Sequence, residues 1–240
     1  MSAAEIRDLA RRAGIAAGVS VLDLCCGVAG PGRFITEQLG CTYLGVDSSS
    51  SALVIAEERS ADLPCRFEVA RVPPLPRGVF DVVLLFETML AFTEKETLLQ
   101  GVARALRTGG RFAFTLEEGL PLTETERDRM PDADTVWLMP VDQMLSGLAR
   151  VGLAVRWMSD CSRSHLAVVN SLIEAFAADG ADIAAQIGSR ALDELLTAHR
   201  LWSEWLRVGR VRKLAFIAEK TETPMRRRGR APTSLPVHGP

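Results

Sequence analysis

Short apolar runs alternate with amphipathic stretches through the first half of the chain. Apolar runs of strand length occupy residues 20–24, 41–46, 67–72, 80–87 and 111–114. Apolar residues at helical spacing predict helices at residues 3–12, around Phe34, at residues 50–59 and at residues 94–107, the last stopped by glycines 109–110. Strands that alternate with helices are typical of a parallel sheet.

The second half of the chain has a different pattern. Residues 117–134 are rich in Glu, Thr, Asp and Pro, which favours a mobile loop. A helix at residues 141–150, a sixth strand at 153–158 and a seventh at 212–219 follow. Between the last two strands, about residues 162–209 form a long helical insertion, in which His199 and Trp202 share one face with Leu195 and Leu206. We expect this insertion to cover one end of the sheet as a lid.

The turn after the first strand carries the candidate binding chemistry. Small residues at Gly27, Ala29, Gly30 and Gly32 let bare backbone approach a ligand at the start of a helix. Twenty residues after Gly27, Asp47 ends the second strand, where a carboxylate can accept both hydrogen bonds of a ribose diol. The two features predict a nucleoside cofactor, and the loop alone also fits NAD or FAD.

With these motifs, the chain resembles the class I S-adenosylmethionine-dependent methyltransferases. Residues 21–30, VLDLCCGVAG, are similar to the first motif of that family. Residues 80–87, FDVVLLFE, resemble its fourth strand, and residues 105–114, ALRTGGRFAF, resemble the helix, turn and fifth strand. The match is continuous in order and spacing over residues 20–116 and looser to about Lys220.

The resemblance implies a Rossmann-like α/β fold with a seven-stranded sheet of order 3-2-1-4-5-7-6, in which strand 7 is antiparallel. It also implies that S-adenosyl-L-methionine is the cofactor, S-adenosyl-L-homocysteine the product, and a small organic molecule of the natural-product type the methyl acceptor. The cofactor contacts that it implies are Asp23, Cys25, Gly27, Ala29, Gly30, Asp47, Ser48, Arg71, Val72 and Phe86. Cys25 and Ala29 stand where the family usually has glycine, and Arg71 where many relatives have an acidic residue near adenine.

Glu87 and His165 are the candidate catalytic residues. Glu87 directly follows the fourth strand, within a Glu-x-Thr-Met-like segment that resembles prenyl-diphosphate C-methyltransferases, and its carboxylate is a candidate base or acceptor-holding group. A structural cap or ion pair is the alternative for Glu87. His165 and His199 are candidate bases or core histidines, and Trp202 is a candidate wall of the acceptor site alongside His199.

Composition limits the remaining possibilities. The chain has 240 residues and a formal net charge of −2, which favours one domain over residues 1–220 and argues against nucleic acid or a membrane surface as partner. No apolar run is long enough to span a bilayer, so we expect a cytoplasmic monomer or homodimer. Five cysteines without metal-ligand spacing predict no metal. Residues 221–240, basic and rich in Pro, are predicted to be a disordered tail.

Three other classes of protein remain as alternatives, and one of them, a nucleic-acid methyltransferase, would need the basic residues 221–240 to contribute to activity. An NAD-dependent oxidoreductase of the Tyr-x-x-x-Lys type is disfavoured because Tyr43, the one tyrosine, lies in the second strand. A non-catalytic S-adenosylmethionine-binding module or partner subunit is suggested by Cys25, Ala29 and Arg71.

Overall fold

The computed structural model describes residues 1–222 and confirms an α/β fold on one seven-stranded sheet. The strands are β1 (Ser20–Leu24), β2 (Thr42–Asp47), β3 (Cys65–Val69), β4 (Phe80–Leu85), β5 (Leu106–Glu118), β6 (Leu153–Asp160) and β7 (Arg212–Lys220). The helices are α1 (Ala3–Arg12), α2 (Gly30–Leu39), α3 (Ser50–Arg59), α4 (Lys95–Ala105), α5 (Glu124–Arg129), α6 (Val141–Arg150), α7 (Ser162–Ala178), α8 (Gly180–Ile187) and α9 (Ser189–Arg207). Residues 223–240, and with them nearly all of the predicted disordered tail, lie outside the described part.

The strand order is β3-β2-β1-β4-β5-β7-β6, as predicted. β1 to β5 pair in parallel, whereas β7 runs antiparallel between β5 and β6. The carboxyl ends of β1 to β5 therefore meet at one edge of the sheet, together with the amino end of β7. In open sheets of this kind the ligand crevice lies at that edge.

Two hydrophobic cores lie on the two faces of the sheet. On one face, α4 and α6 contribute Leu98, Val102 and Leu148 to a core that contains Leu22 and Phe114. On the other face, α1 and α2 pack through apolar residues that include Leu9 and Ile35. Both faces of the sheet are covered, which explains why its central strands are almost wholly apolar.

Two sequence predictions about β5 and its neighbours were wrong. The helix predicted over residues 94–107 ends at Ala105, because Leu106 has an extended backbone and pairs with Phe80 as the first residue of β5. The glycines at 109–110 lie inside this strand, beside a shift in its register with β4. The strand also runs on to Glu118, into the segment that was predicted to be mobile.

The rest of that segment is structured as well. A capping box, in which Thr123 and Glu126 bond each other's backbone, begins α5. A third apolar cluster joins residues of this segment to α9 and the start of β7: Leu122, Met130, Val136, Leu138, Leu201, Trp205 and Val211. The prediction of a mobile loop was wrong because a few apolar residues are enough to pack a mostly polar segment against neighbouring elements.

Residues 162–209 are helical, as expected, and form α7, α8 and α9. α7 and α9 pack against each other, and the side chain of Asn170 accepts a hydrogen bond from Ser203 at 2.7 Å. Within residues 1–222, none of the helices is both long enough and apolar enough to cross a membrane.

Candidate functional site

The turn between β1 and α2 is held in a conformation that favours glycine. Cys25, Gly27 and Ala29 have φ values of +57°, +54° and +54°. For Cys25 and Ala29 this left-handed backbone carries a steric cost of about 1–2 kcal/mol each. A side-chain carbon added at Gly27 or Gly30 would meet no atom within 4 Å, so the backbone of the turn faces open space. The main chain of the turn is therefore accessible to a ligand, as binding through backbone groups requires.

Asp47 fastens this turn to the end of β2. Its carboxylate accepts a hydrogen bond from the Gly27 N–H at 2.8 Å and one from the Ser49 N–H at 2.9 Å. Two backbone bonds leave the carboxylate with further lone pairs, since an ionised carboxylate has about four acceptor sites. Asp47 can thus order the turn and accept hydrogen bonds from a ribose diol at the same time.

A pocket of about 370 Å³ opens beside Asp47 at the carboxyl edge of the sheet. Its size falls within the range of about 300–1,000 Å³ typical of small-molecule sites. The residues that line this cofactor pocket are Cys25, Asp47, Ser48, Ala70, Arg71, Val72, Thr88, Ala91 and Phe92. Five of the predicted cofactor contacts are brought together here. β3 ends at Val69, earlier than predicted, so Arg71 and Val72 lie in the loop that forms the pocket wall.

The sequence missed the pocket residues that follow β4. Thr88 and Ala91 lie in or next to a single 3₁₀ turn at Met89–Ala91, and Phe92 follows it. Their signal was their place directly after the fourth strand, where every parallel strand of the sheet contributes a loop to the same edge.

Asp23 lies beneath the turn and does not line the pocket. Its side chain is buried and accepts a 2.6 Å hydrogen bond from the Tyr43 hydroxyl. Burial raises the pKa of Asp23 to about 7, although the bond from Tyr43 acts in the opposite direction. The Tyr43 ring in turn fills the space over Gly32 and Gly45, where an added side-chain carbon would lie 2.2 and 2.9 Å from it. Asp23 and Tyr43 support the turn from below.

Phe86 also faces away from the pocket. Its side chain is buried in the core on the α1 and α2 side, and its carbonyl accepts a 2.8 Å bond from Thr88 Oγ1. The predicted cofactor contact at Phe86 stays a prediction.

The two predicted catalytic residues lie side by side. Glu87 follows β4, His165 lies in the first turn of α7, and Glu87 Oε2 is 3.9 Å from His165 Nδ1. Glu87 has a φ of +61°, and its N–H donates a 2.8 Å bond to Thr115 Oγ1 on β5. Strained backbone that persists in a folded protein is typical of functional positions.

A buried lysine and a second glutamate complete what we call the charged cluster: Glu87, Glu117, His165 and Lys213. Lys213 Nζ donates to Glu87 Oε2 at 2.7 Å and to Glu117 Oε1. Burial acts to raise the pKa of Glu87, but the Lys213 ammonium, His165 and the N-terminal amine together outweigh burial, and the pKa is lowered. Burial and then the Lys213 charge lower the pKa of His165. At neutral pH, Glu87 is therefore ionised and His165 is neutral.

Sequence reasoning missed Glu117 and Lys213. Their signal was a charged residue within each of two facing apolar strands, at positions that pair directly, Glu117 with Lys213. The pairing could not be read from the chain, because the two residues belong to distant segments. Burial of each charge is tolerated because the other compensates it.

His199 and Trp202 do not join the charged cluster. His199 Nδ1 lies 2.8 Å from the Leu195 carbonyl oxygen, and its ring packs edge-on against Phe176 of α7 at 5.2 Å. Trp202 packs edge-on against Trp205 at 5.5 Å, beside the third apolar cluster. Both side chains hold the insertion together, and their predicted contact with an acceptor stays a prediction.

The thiols of this region are poor nucleophiles. Burial raises the pKa of Cys25 to about 12 and moves the pKa of Cys26 still further up. Among residues 1–222, no group of three or more His, Cys, Asp or Glu side chains is arranged to hold a metal ion.

Known proteins resemble the chain in both sequence and fold. Residues 21–110 match a family described as a methyltransferase domain. The methyltransferase GfsG of Streptomyces halstedii is 33% identical over 113 residues, which cover 45% of this chain and 41% of GfsG. The chain thus spans about two fifths of the length of this curated relative.

Solved structures match over nearly the whole chain. The cyclopropane synthase MmaA2 of Mycobacterium tuberculosis has a TM-score of 0.83 at 14% identity and covers 90% of this chain and 83% of its own. Geranyl diphosphate C-methyltransferase of Streptomyces coelicolor, solved with Mg²⁺, geranyl diphosphate and S-adenosyl-L-homocysteine, has a TM-score of 0.71 at 17% identity and covers 91% and 80%. At these identities the structures establish the fold.

Proposed function

We propose that this chain is a class I S-adenosylmethionine-dependent methyltransferase and that it transfers a methyl group from S-adenosyl-L-methionine to a small organic acceptor. One observation carries the proposal. The cofactor pocket beside Asp47, at the end of β2, and the charged cluster around Glu87, just after β4, lie at the same edge of the sheet on either side of β1. A cofactor site and a proton-accepting group at one edge are what methylation of an acceptor requires.

The residues of the pocket fit the proposed cofactor. The Asp47 carboxylate suits a ribose diol, and the bare backbone around Gly27 suits the polar amino-acid end of the molecule. Val72, Ala91 and Phe92 supply apolar surface for a flat base. Arg71 leaves adenine without an acidic partner at that position, so we infer that backbone groups near Val72 hold its amino group.

The charged cluster contains a group that can accept the proton that the acceptor loses. S-adenosylmethionine, when bound, supplies the methyl group. A lone pair of the acceptor bonds to the methyl carbon, and the electron pair of the broken carbon–sulfur bond stays on sulfur. The proton that the acceptor loses goes to the neutral His165, and the adjacent Glu87 carboxylate stabilises the resulting imidazolium. Glu87 itself is a weak base, because Lys213 lowers its pKa. Glu87 therefore holds charge, and His165 takes the proton.

The acceptor atom is carbon, nitrogen or oxygen. The scaffold serves all three, and the relatives differ in the acceptors that their names state. We propose that α7 to α9, with Trp202 and His199, form the lid over the acceptor within a single domain that ends near Lys220.

The proposal is tested by methyl-labelled S-adenosylmethionine and a panel of small amines, alcohols and prenyl diphosphates. We expect label to appear in at least one class of acceptor, and Glu87→Gln to slow that transfer about 100-fold with unchanged affinity for S-adenosylhomocysteine. Glu118→Gln, which alters the next residue of β5 from Glu117, is the matched control and should retain full rate.

Two results would oppose this account. Binding of S-adenosylhomocysteine without transfer to any class would favour the non-catalytic binding module. Full activity in Glu87→Gln would mean that Glu87 has only a structural role.

A further inference from the structure

Lys213 lies at the centre of the charged cluster. Its side chain is 1% exposed, and its ammonium group bonds both Glu87 and Glu117. Burying a lysine charge costs free energy unless carboxylates compensate it. Here two carboxylates compensate one cation. Glu117 is itself buried, whereas the side chain of Glu87 is 37% exposed. The lysine thus joins a buried anchor to an accessible carboxylate.

The backbone of Lys213 is tied to the helix that carries His165. The Lys213 N–H donates to Ser162 Oγ at 2.9 Å, and its carbonyl accepts from the Cys161 N–H at 2.7 Å. The His165 N–H donates to the Cys161 carbonyl at 2.9 Å in the first turn of α7. Lys213 therefore has a fixed position relative to both Glu87 and His165.

A second cross-strand ion pair, between Glu118 and Arg212, provides a comparison for the pair of Glu117 and Lys213. Glu118 and Arg212 are the next facing positions on β5 and β7, and their side chains pair at 2.8 Å. Adjacent residues of a strand point to opposite faces, so this pair lies away from the charged cluster. Arg212 is 45% exposed and contacts neither Glu87 nor His165 among its ion-pair partners in residues 1–222.

We propose that Lys213, anchored by Glu117, is a positioning residue of the methyl-transfer site, which holds the Glu87 carboxylate in place and charged so that the acceptor's proton goes to His165. This inference rests on the proposed function. The proton leaves the acceptor's C, N or O atom, binds the lone pair of a His165 ring nitrogen, and is released to water after transfer. Glu87 keeps its charge throughout.

Several other groups face this proton site. Glu5 of α1 bonds Ser164 beside His165, and the Met1 amine lies 3.6 Å from Glu87 Oε1. Cys161 lies close to Lys213 and Glu87, and its pKa is raised, by burial first. None of these groups is itself replaced in the variants compared below.

The test measures the pKa of His165 by NMR in wild type, Lys213→Met and Arg212→Met, with the signal assigned from His165→Gln. We expect the pKa of wild-type His165 to lie below its ordinary value, because of burial and then the Lys213 charge, and we expect Lys213→Met to raise that pKa because the Lys213 charge is gone. Arg212→Met, the matched control, should leave it unchanged. An unchanged pKa in folded Lys213→Met, or an equal shift in Arg212→Met, would overturn the proposal.

Glu117→Gln is the second variant, in case Lys213→Met does not fold. It leaves the lysine charge uncompensated by Glu117, so the pKa of His165 should fall instead of rise. No change, or a rise, would contradict the proposal. Lys213→Arg keeps the charge and should restore most of the wild-type value.

Calorimetry with S-adenosylhomocysteine on the same samples separates the two proposals. Equal affinity within about twofold in wild type, Lys213→Met and Arg212→Met is expected, because Lys213 does not line the cofactor pocket. A wild-type protein that binds no S-adenosylhomocysteine would refute the proposed function, while the titration of His165 would still decide the role of Lys213. A large loss of affinity in Lys213→Met alone would show a general structural role and would also overturn the inference.

Discussion

The proposed cofactor side and the proposed acceptor side of the site are built in different ways. The cofactor side uses a short turn, the end of β2 and backbone groups, and nearly all its parts lie between residues 23 and 92. The acceptor side uses side chains from β4, β5, α7 and β7, which meet only in the folded chain. The match to the methyltransferase domain, residues 21–110, includes the first side and only Glu87 of the second. The proposed cofactor side thus lies within the residues that match this family, and most of the proposed acceptor side lies outside them.

The largest expected effect comes from filling the space under the cofactor turn. Gly32→Ala places a carbon 2.2 Å from the Tyr43 ring, so we expect a loss of about 3 kcal/mol in the free energy of unfolding. Gly30→Ala is the matched control, because no atom lies within 4 Å of the added carbon. Urea denaturation of both variants measures the difference. Equal stability of the two would mean that the turn does not depend on Tyr43.

Asp47→Ala tests the cofactor side directly. Loss of the charge-assisted bonds should weaken binding of S-adenosylhomocysteine by about 1–3 kcal/mol, measured by calorimetry. Asp62→Ala removes an exposed carboxylate before β3, at the opposite edge of the sheet, and should leave affinity unchanged. Unchanged affinity in Asp47→Ala would mean that Asp47 does not contact the cofactor.

Asp23 should make the stability of the cofactor side depend on pH. Its folded pKa of about 7 lies above the ordinary 3.8, so the folded state binds more protons between these values and stability falls as pH rises through that window. Asp23→Asn cannot ionise, so at pH 8 we expect it to be more stable than wild type by on the order of 2 kcal/mol, with the gap closing below pH 4. Thermal unfolding at several pH values checks this. A gap of the same size at every pH would exclude a titrating Asp23.

The smallest effect concerns the strained turn. Cys25→Gly should raise the free energy of unfolding by about 1 kcal/mol at most, because glycine adopts a φ of +57° without steric cost but is more flexible when unfolded. Cys25→Ala keeps the same strain and serves as the control. If both variants change stability equally, the thiol and not the backbone conformation is responsible.

Both sides of the site show how far the sequence could be read. The fold, the turn at Gly27, Asp47 and the helical insertion follow from local patterns, since each depends on residues close together in the chain. The sequence places Glu117 in a mobile loop, because residues 117–134 are rich in Glu, Thr, Asp and Pro. Its partner Lys213 lies on a different strand, and only the antiparallel insertion of β7 brings the two together. The proximity of His165 and Glu87 likewise depends on where α7 begins, which no motif specifies.

The most direct test of the account is calorimetric titration of the purified protein with S-adenosylhomocysteine, S-adenosylmethionine and NAD in parallel. The account predicts that both sulfur nucleosides bind, that NAD does not, and that Asp47→Ala weakens the first two. Binding of NAD, or of none of the three, would contradict it.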